Sequence, residues 1–168
     1  MAKVYLYQNG AMPTTAAPVK VTTGTAIKTM LQIKLPSGVQ GRVIEWGVSF
    51  DGSAAATPIE CELVETGSVF GTVTAAVAND ITRYDPNDID PTTALITVGT
   101  SATGYTCTSE GSITASRELD FQLVAPTNQY VKQFPLGREP AFGNANALRV
   151  RVTAGAAVNC YCYVVFEI

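Results

Sequence analysis

The sequence contains no histidine. That absence removes Ser-His-Asp and Cys-His catalytic arrangements and any metal site built on imidazole. Charge is sparse as well: 15% of residues are Asp, Glu, Lys or Arg, against about 25% in ordinary soluble proteins. A surface so poor in charge is weakly protected from association, so much of it is expected to be buried in an oligomer or on a larger assembly. The 11 Lys and Arg are scattered, with no two adjacent, and the formal net charge is -3. A nucleic-acid binder carries a basic patch or stripe, and this balance argues against nucleic acid and against anionic membrane surfaces. No apolar run approaches the ~20 residues of a membrane span. The opening residues, Met1 to Gln8, lack the apolar region of a secretory signal, which points to synthesis in the cytoplasm.

The cysteines add no chemistry. Cys61, Cys107, Cys160 and Cys162 contain no Cys-x-x-Cys spacing for zinc, and without a secretory signal reduced thiols are favoured. Cys160 and Cys162 share a strand face with Cα atoms about 6.6 Å apart, near the limit for bridging. All four read as small apolar packing residues. There is no Gly-rich phosphate loop between a strand and a helix. The nearest acidic cluster, Glu60, Glu62 and Glu65, lies on one alternating strand, where Glu60 and Glu62 face outward and read as solvated. The loop over 85–91 is acidic, but it has neither the Gly nor the closing Glu of a calcium loop. No catalytic residue, metal ligand or cofactor is expected.

What remains is strand pattern. Residues 147–168 organise the chain. Leu148, Val150 and Val152 alternate with Arg149, Arg151 and Thr153, the period of a strand with one buried face. After a Gly-containing turn, a second strand carries Cys160, Cys162, Val164 and Phe166 on one face and Tyr161, Tyr163 and Val165 on the other. The two strands read as a hairpin. The second is apolar on both faces and must be covered on both. Either the domain covers it alone or a partner does; with so little charge on the chain, Tyr161, Tyr163 and Val165 are the candidate subunit interface.

Upstream, 26–35 alternates with Ile27, Leu31, Ile33 and Leu35 inward, and Pro36-Ser37-Gly38 ends it with turn chemistry. In 42–50, Ile44, Trp46, Val48 and Phe50 share a face. With Ile59, Cys61 and Leu63 of the next strand they suggest a second hairpin, joined by a loop over 51–58. Within 67–84, Val73, Val77, Ile81 and Tyr84 fall on one helical face behind Thr72, so a short helix is expected there. A short strand at 94–98 and a surface loop or edge over 99–111 follow. A long strand over 112–124, with Leu119, Phe121 and Leu123 inward, and another at 130–134 complete the series. Residues 1–25, rich in Ala, Thr, Pro and Gly, read as an extended N-terminal arm before a domain over 26–168. The tally is about eight strands, an all-β sandwich or barrel, and eight strands in two sheets is the jelly-roll number.

Three stretches carry a resemblance: 13–33 (PTTAAPVKVTTGTAIKTMLQI), 45–58 (EWGVSFDGSAAATP), and 123–130 (LVAPTNQY) with 135–140 (PLGREP). Together they resemble small capsid decoration, or cement, proteins of tailed bacteriophages, especially those of actinobacteria. The resemblance implies a single-domain jelly-roll-like β-sandwich with no enzymatic activity, located on the outer capsid surface of the virion. It implies a homotrimer that bridges subunits of the phage major capsid protein through an N-terminal arm, here represented by Tyr5, Leu6, Tyr7, Pro13 and Pro18. A tail or head–tail joining component is an alternative station. A glycan- or receptor-binding jelly roll is the alternative of another class, with Tyr105, Tyr130 and Phe142 as its only loop aromatics.

Overall fold

The computed structural model describes residues 2–53, 57–112 and 116–168. The described residues form thirteen strands: β1 (Val4–Gln8), β2 (Val21–Thr22), β3 (Lys28–Lys34), β4 (Gln40–Phe50), β5 (Ile59–Thr66), β6 (Thr72–Ala75), β7 (Ile81–Arg83), β8 (Gly104–Ser109), β9 (Ser116–Val124), β10 (Gln129–Gln133), β11 (Ala141–Gly143), β12 (Ala147–Thr153) and β13 (Asn159–Glu167). The number exceeds the expected eight because short strands border the long ones. The expected 51–58 loop and the start of the 112–124 strand include residues 54–56 and 113–115, outside the described residues.

Two antiparallel sheets pack face to face in a β-sandwich. Sheet I runs β10-β4-β13-β1-β7, with β11 alongside β4 and β2 alongside β13; sheet II runs β6-β8-β3-β12-β5-β9. One core cluster takes side chains from both, among them Tyr5, Trp46, Val164 and Phe166 from sheet I and Leu31, Ile33, Leu63 and Val150 from sheet II.

Both expected hairpins are absent. β12 pairs β3 and β5, whereas β13 pairs β4, β1 and β2, so the connection between β12 and β13 crosses from one sheet to the other. β4 and β5 are likewise in different sheets. In each case the apolar faces meet across the core instead of lying side by side. Alternation fixes which face is buried, but not which strand supplies the ladder partner.

Two bulges shift the phase of that alternation. Between Val165 and Phe166 the register on β4 slips, so Phe166 lies opposite Val43. Val43 is therefore buried and Ile44 only half-buried, against expectation. Between Leu63 and Val64 the register on β9 slips as well, which sets Asp120 opposite Leu63 and Gln122 opposite Cys61, with Phe121 opposite Glu62. Phe121 and Leu123, expected inward, are 43% and 63% exposed. Asp120 goes inward because three donors await it: Trp46 Nε1 at 3.1 Å, Tyr130 Oη at 2.9 Å and Lys132 Nζ at 3.0 Å. β9 and β10 are edge strands of opposite sheets, so this carboxylate clasps the open side of the sandwich. An inward charge and a bulge also make β9 a poor template for pairing with another chain.

The helix expected within 67–84 is instead β6, a single 3-10 turn (Ala78–Asp80) and β7. Val73 and Ile81 are buried, whereas Val77 and Tyr84 are 57% and 58% exposed. Asp80 holds the turn by accepting a bond from Val77 N at 2.9 Å. The β-branched residues on either side take sheet partners, as their propensity favours. The 94–98 segment is a turn, with Leu95 N and Ile96 N both bonded to Thr92 O, although Ile96 reaches the core.

The excursion between β5 and β9 extends both sheets: β6 and β8 lie beyond β3, and β7 beyond β1. It also covers the outer face of sheet II over β3 and β12, while the β5–β9 side stays open, with Glu60, Phe121 and Leu123 exposed. Arg149 points outward from β12 yet is 0% exposed, with its guanidinium bonded to Glu110 O at 3.0 Å, Glu110 Oε2 at 3.3 Å and Val69 O at 3.3 Å. Gln32 beside it bonds Gly71 and Ala102.

Candidate interaction surface

The outer face of sheet I is covered at one end only, where the segment between β1 and β2 lies beside Ser49 and Tyr161. Tyr161, Tyr163 and Val165 follow one another along β13 on that face. They differ in exposure: Tyr161 is 41% exposed, Tyr163 is half-buried and Val165 is 4% exposed between Leu6 and Glu45. The two tyrosine rings lie 6.1 Å apart, tilted by 36°. Tyr163 lies over Gly47, where a Cβ would stand 2.6 Å from the ring, so a larger residue there would displace the ring. Its hydroxyl donates to Glu45 Oε1 at 2.6 Å, and that of Tyr161 to Gln8 Oε1 at 3.2 Å. Burial, and then the Glu45 carboxylate, push the Tyr163 phenol up, and burial does the same at Tyr161. The register places Leu6, Thr82, Ser49, Gln129, Val131 and Gln133 on the same face. Among these positions Glu45 is charged and is occupied by Tyr163, and the same register adds Arg42 and Glu167 at one end of the face.

The N-terminal segment differs from the expected arm. Tyr5 and Tyr7 are 0% exposed core residues of β1, and are therefore unavailable to a capsid. Leu6 faces outward beside Val165. The chain then leaves the sheet and returns to it. Asn9 N donates to Cys162 O, Asn9 Oδ1 accepts from Cys162 N, and Asn9 Nδ2 donates to Cys160 O, so one side chain extends the ladder. β2 then pairs with Asn159 and Cys160 on the same strand. Between these anchors residues 11–20, with Pro13 and Pro18, are all exposed. The segment is a strap fixed at both ends, tied further by Met12 N to Asp80 Oδ1 at 2.8 Å and by a Lys20–Asp51 ion pair. Hydrogen bonding from Lys20, and then Asn159, holds the Asp51 carboxyl below the usual range. Under the strap lies a groove of about 170 Å³ lined by Pro18, Val19, Lys20, Phe50, Asp51 and Tyr161.

The residues weighed for chemistry are packed or solvated. The four thiols are free and buried; burial raises Cys61 and Cys162, and pushes Cys107 up to about 11, so none of these three is a thiolate at neutral pH. Glu65 is 4% exposed and bound by Arg117 Nε at 2.6 Å and Gly143 N at 3.1 Å. Glu62 lies 2.8 Å from Arg151 Nε, and Glu60 faces solvent. In the 85–91 loop, Asp85 Oδ1 accepts from its neighbour Asn87 and Asp90 pairs with Arg83. Phe142 is 1% exposed; Tyr130 is half-buried against Trp46 and bound to Asp120; Tyr105 is half-buried in β8. No open aromatic platform results from these three. The inward Asp120 was not signalled by alternation, whereas Val19 and Val21 suit a brief strand, and Val21 lies in β2.

Comparisons with protein-family models, with curated proteins and with solved structures found no match.

Proposed function

We propose that this chain is a non-enzymatic structural protein of a tailed-phage virion, a decoration protein that binds the outer capsid surface as a homotrimer and bridges major-capsid subunits. The observation that carries the reading is the asymmetry of the two outer faces. Sheet II is covered over β3 and β12 by the chain's own excursion, and its open β5–β9 side sets Glu60, Glu62 and Glu118 among Phe121 and Leu123. The middle of sheet I instead presents Leu6, Tyr161, Tyr163 and Val131, with Glu45 already bonded to Tyr163 and Arg42 and Glu167 only at one end. Such a face suits burial against other subunits.

The strand order supports the finer fold reading. Without β2, β11 and the β6, β7 and β8 of the excursion, the remaining eight strands run β1-β13-β4-β10 in one sheet and β3-β12-β5-β9 in the other. Numbered one to eight, that is 1-8-3-6 facing 2-7-4-5, the two interlocked Greek keys of a jelly roll. The family resemblance of 13–33, 45–58 and 123–140 supplies the capsid station. The strap, exposed along 11–20 with Pro13 and Pro18 among its residues, takes the bridging role given to the arm.

Purified protein mixed with phage shells stripped of it is expected to co-sediment with them and to raise their resistance to heat. Protein that stays in the supernatant, with the shells unprotected, refutes the capsid role.

A further inference from the structure

We infer that Leu136 is a knob that seats in the groove beside Tyr161 of a second copy, so that the subunits join head to tail; this rests on the homo-oligomeric reading above. A single exposed leucine is ordinary, but this one is 97% exposed on a turn with no freedom to fold it away. Arg138 N bonds Pro135 O at 2.8 Å, and Gly137 takes a left-handed φ of 80°, the signature of a type II turn with glycine where it is required. The turn is pinned on both sides to β4, by Phe134 N to Ile44 O at 2.8 Å and by Val43 N to Pro140 O at 3.0 Å. With the backbone fixed, only the rotamers of the leucine itself remain to be ordered on binding.

The groove complements it. Its walls are the apolar Pro18, Val19, Phe50 and Tyr161, and at its edge stand Lys20 and Asp51. Lys20 and Asp51 pair with each other, and Arg138 and Glu139, which follow the knob, carry one charge of each sign, so the two pairs can close a four-charge cluster across the joint. The groove lies at the Ser49–Asp51 end of the sheet and the turn at the Arg42–Ile44 end. At about 3.3 Å per residue the two are roughly 20 Å apart along β4, so a knob cannot enter its own groove. A patch that meets a different patch makes a heterologous contact, which closes into a ring when the rotation allows. That is the contact a trimer needs.

Val19 and Leu136 are exposed, at 83% and 97%, and all native thiols are buried. The full chain carrying both Val19→Cys and Leu136→Cys, oxidised mildly, is therefore expected to give a ladder of covalent multimers ending at a closed ring on a non-reducing gel. Neither single variant should pass a dimer. Leu136→Asp should weaken association at least tenfold in sedimentation, with an unchanged circular dichroism spectrum. An uncross-linked double variant that still sediments as an oligomer overturns the knob and leaves the oligomer standing. A wild-type chain that sediments as a monomer overturns both. Association untouched by Leu136→Asp overturns the knob alone.

Discussion

Asp120 is where the fold departs most from its sequence pattern, and replacing it by alanine tests the sandwich directly. The carboxylate is 7% exposed and receives Trp46 Nε1, Tyr130 Oη and Lys132 Nζ. In Asp120→Ala the three donors lose their common acceptor. Lys132 is 37% exposed and rehydrates. The phenol is half-buried and loses about 1 kcal/mol, whereas the indole, at 0% exposure, loses about 1–3 kcal/mol as a buried unsatisfied donor. The sum is about 2–4 kcal/mol, which in a domain of this length lowers Tm by roughly 4–16 °C. Asp120→Asn keeps one acceptor oxygen and should fall between. Trp46 is the only tryptophan, so its fluorescence in a urea titration reports the site and the global transition together. Stability of Asp120→Ala within about 0.5 kcal/mol of wild type, the range of an ordinary surface change, would refute the clasp.

Tyr163→Asp places a charge beside Glu45 on the open face; it is expected to abolish self-association while the monomer keeps its circular dichroism spectrum, as read by light scattering. Glu110→Ala strips the fully buried Arg149 guanidinium of its carboxylate and should cost about 3–5 kcal/mol, much of it recovered when Arg149→Met is added, measured as a double-mutant cycle in denaturant. Alkali should unfold the protein. Burial and the Asp120 bond raise Tyr130 to about 12 from 10.0, and burial raises Tyr7 and Tyr163 as well. The unfolded chain then ionises first, so the stability contributed by these phenols is complete below pH 10 and is lost as pH rises toward 12. Tyrosinate absorbance and near-ultraviolet circular dichroism should change together over that window; titration to the unperturbed phenol value in a chain still folded would contradict it.

Period-two alternation identified β4, β5, β12 and β13 and the inward faces of β12 and β13, because each is half-buried or better by its own residues. It placed their partners wrongly. A turn of a few residues joins strands equally well within a sheet or across the core, and the choice depends on side chains far away in sequence. Bulges hid in the same way: nothing local in 116–124 signals that Leu119 absorbs a slip and sends Phe121 out. The double apolar face of β13 was legible, and so Tyr161, Tyr163 and Val165 do lie together on an outer face. The strap was half legible. Its Pro and Thr content marked an exposed segment, but Asn9 reads as a polar loop residue, and only its three bonds to Cys160 and Cys162 reveal an anchor.

The most direct measurement of the central claim is the position of this chain in the virion, by electron imaging of particles labelled with an antibody against it. Regular labelling over the outside of the capsid shell is the expected result. Label confined to the tail, to the head–tail joint, or to opened particles alone would contradict it.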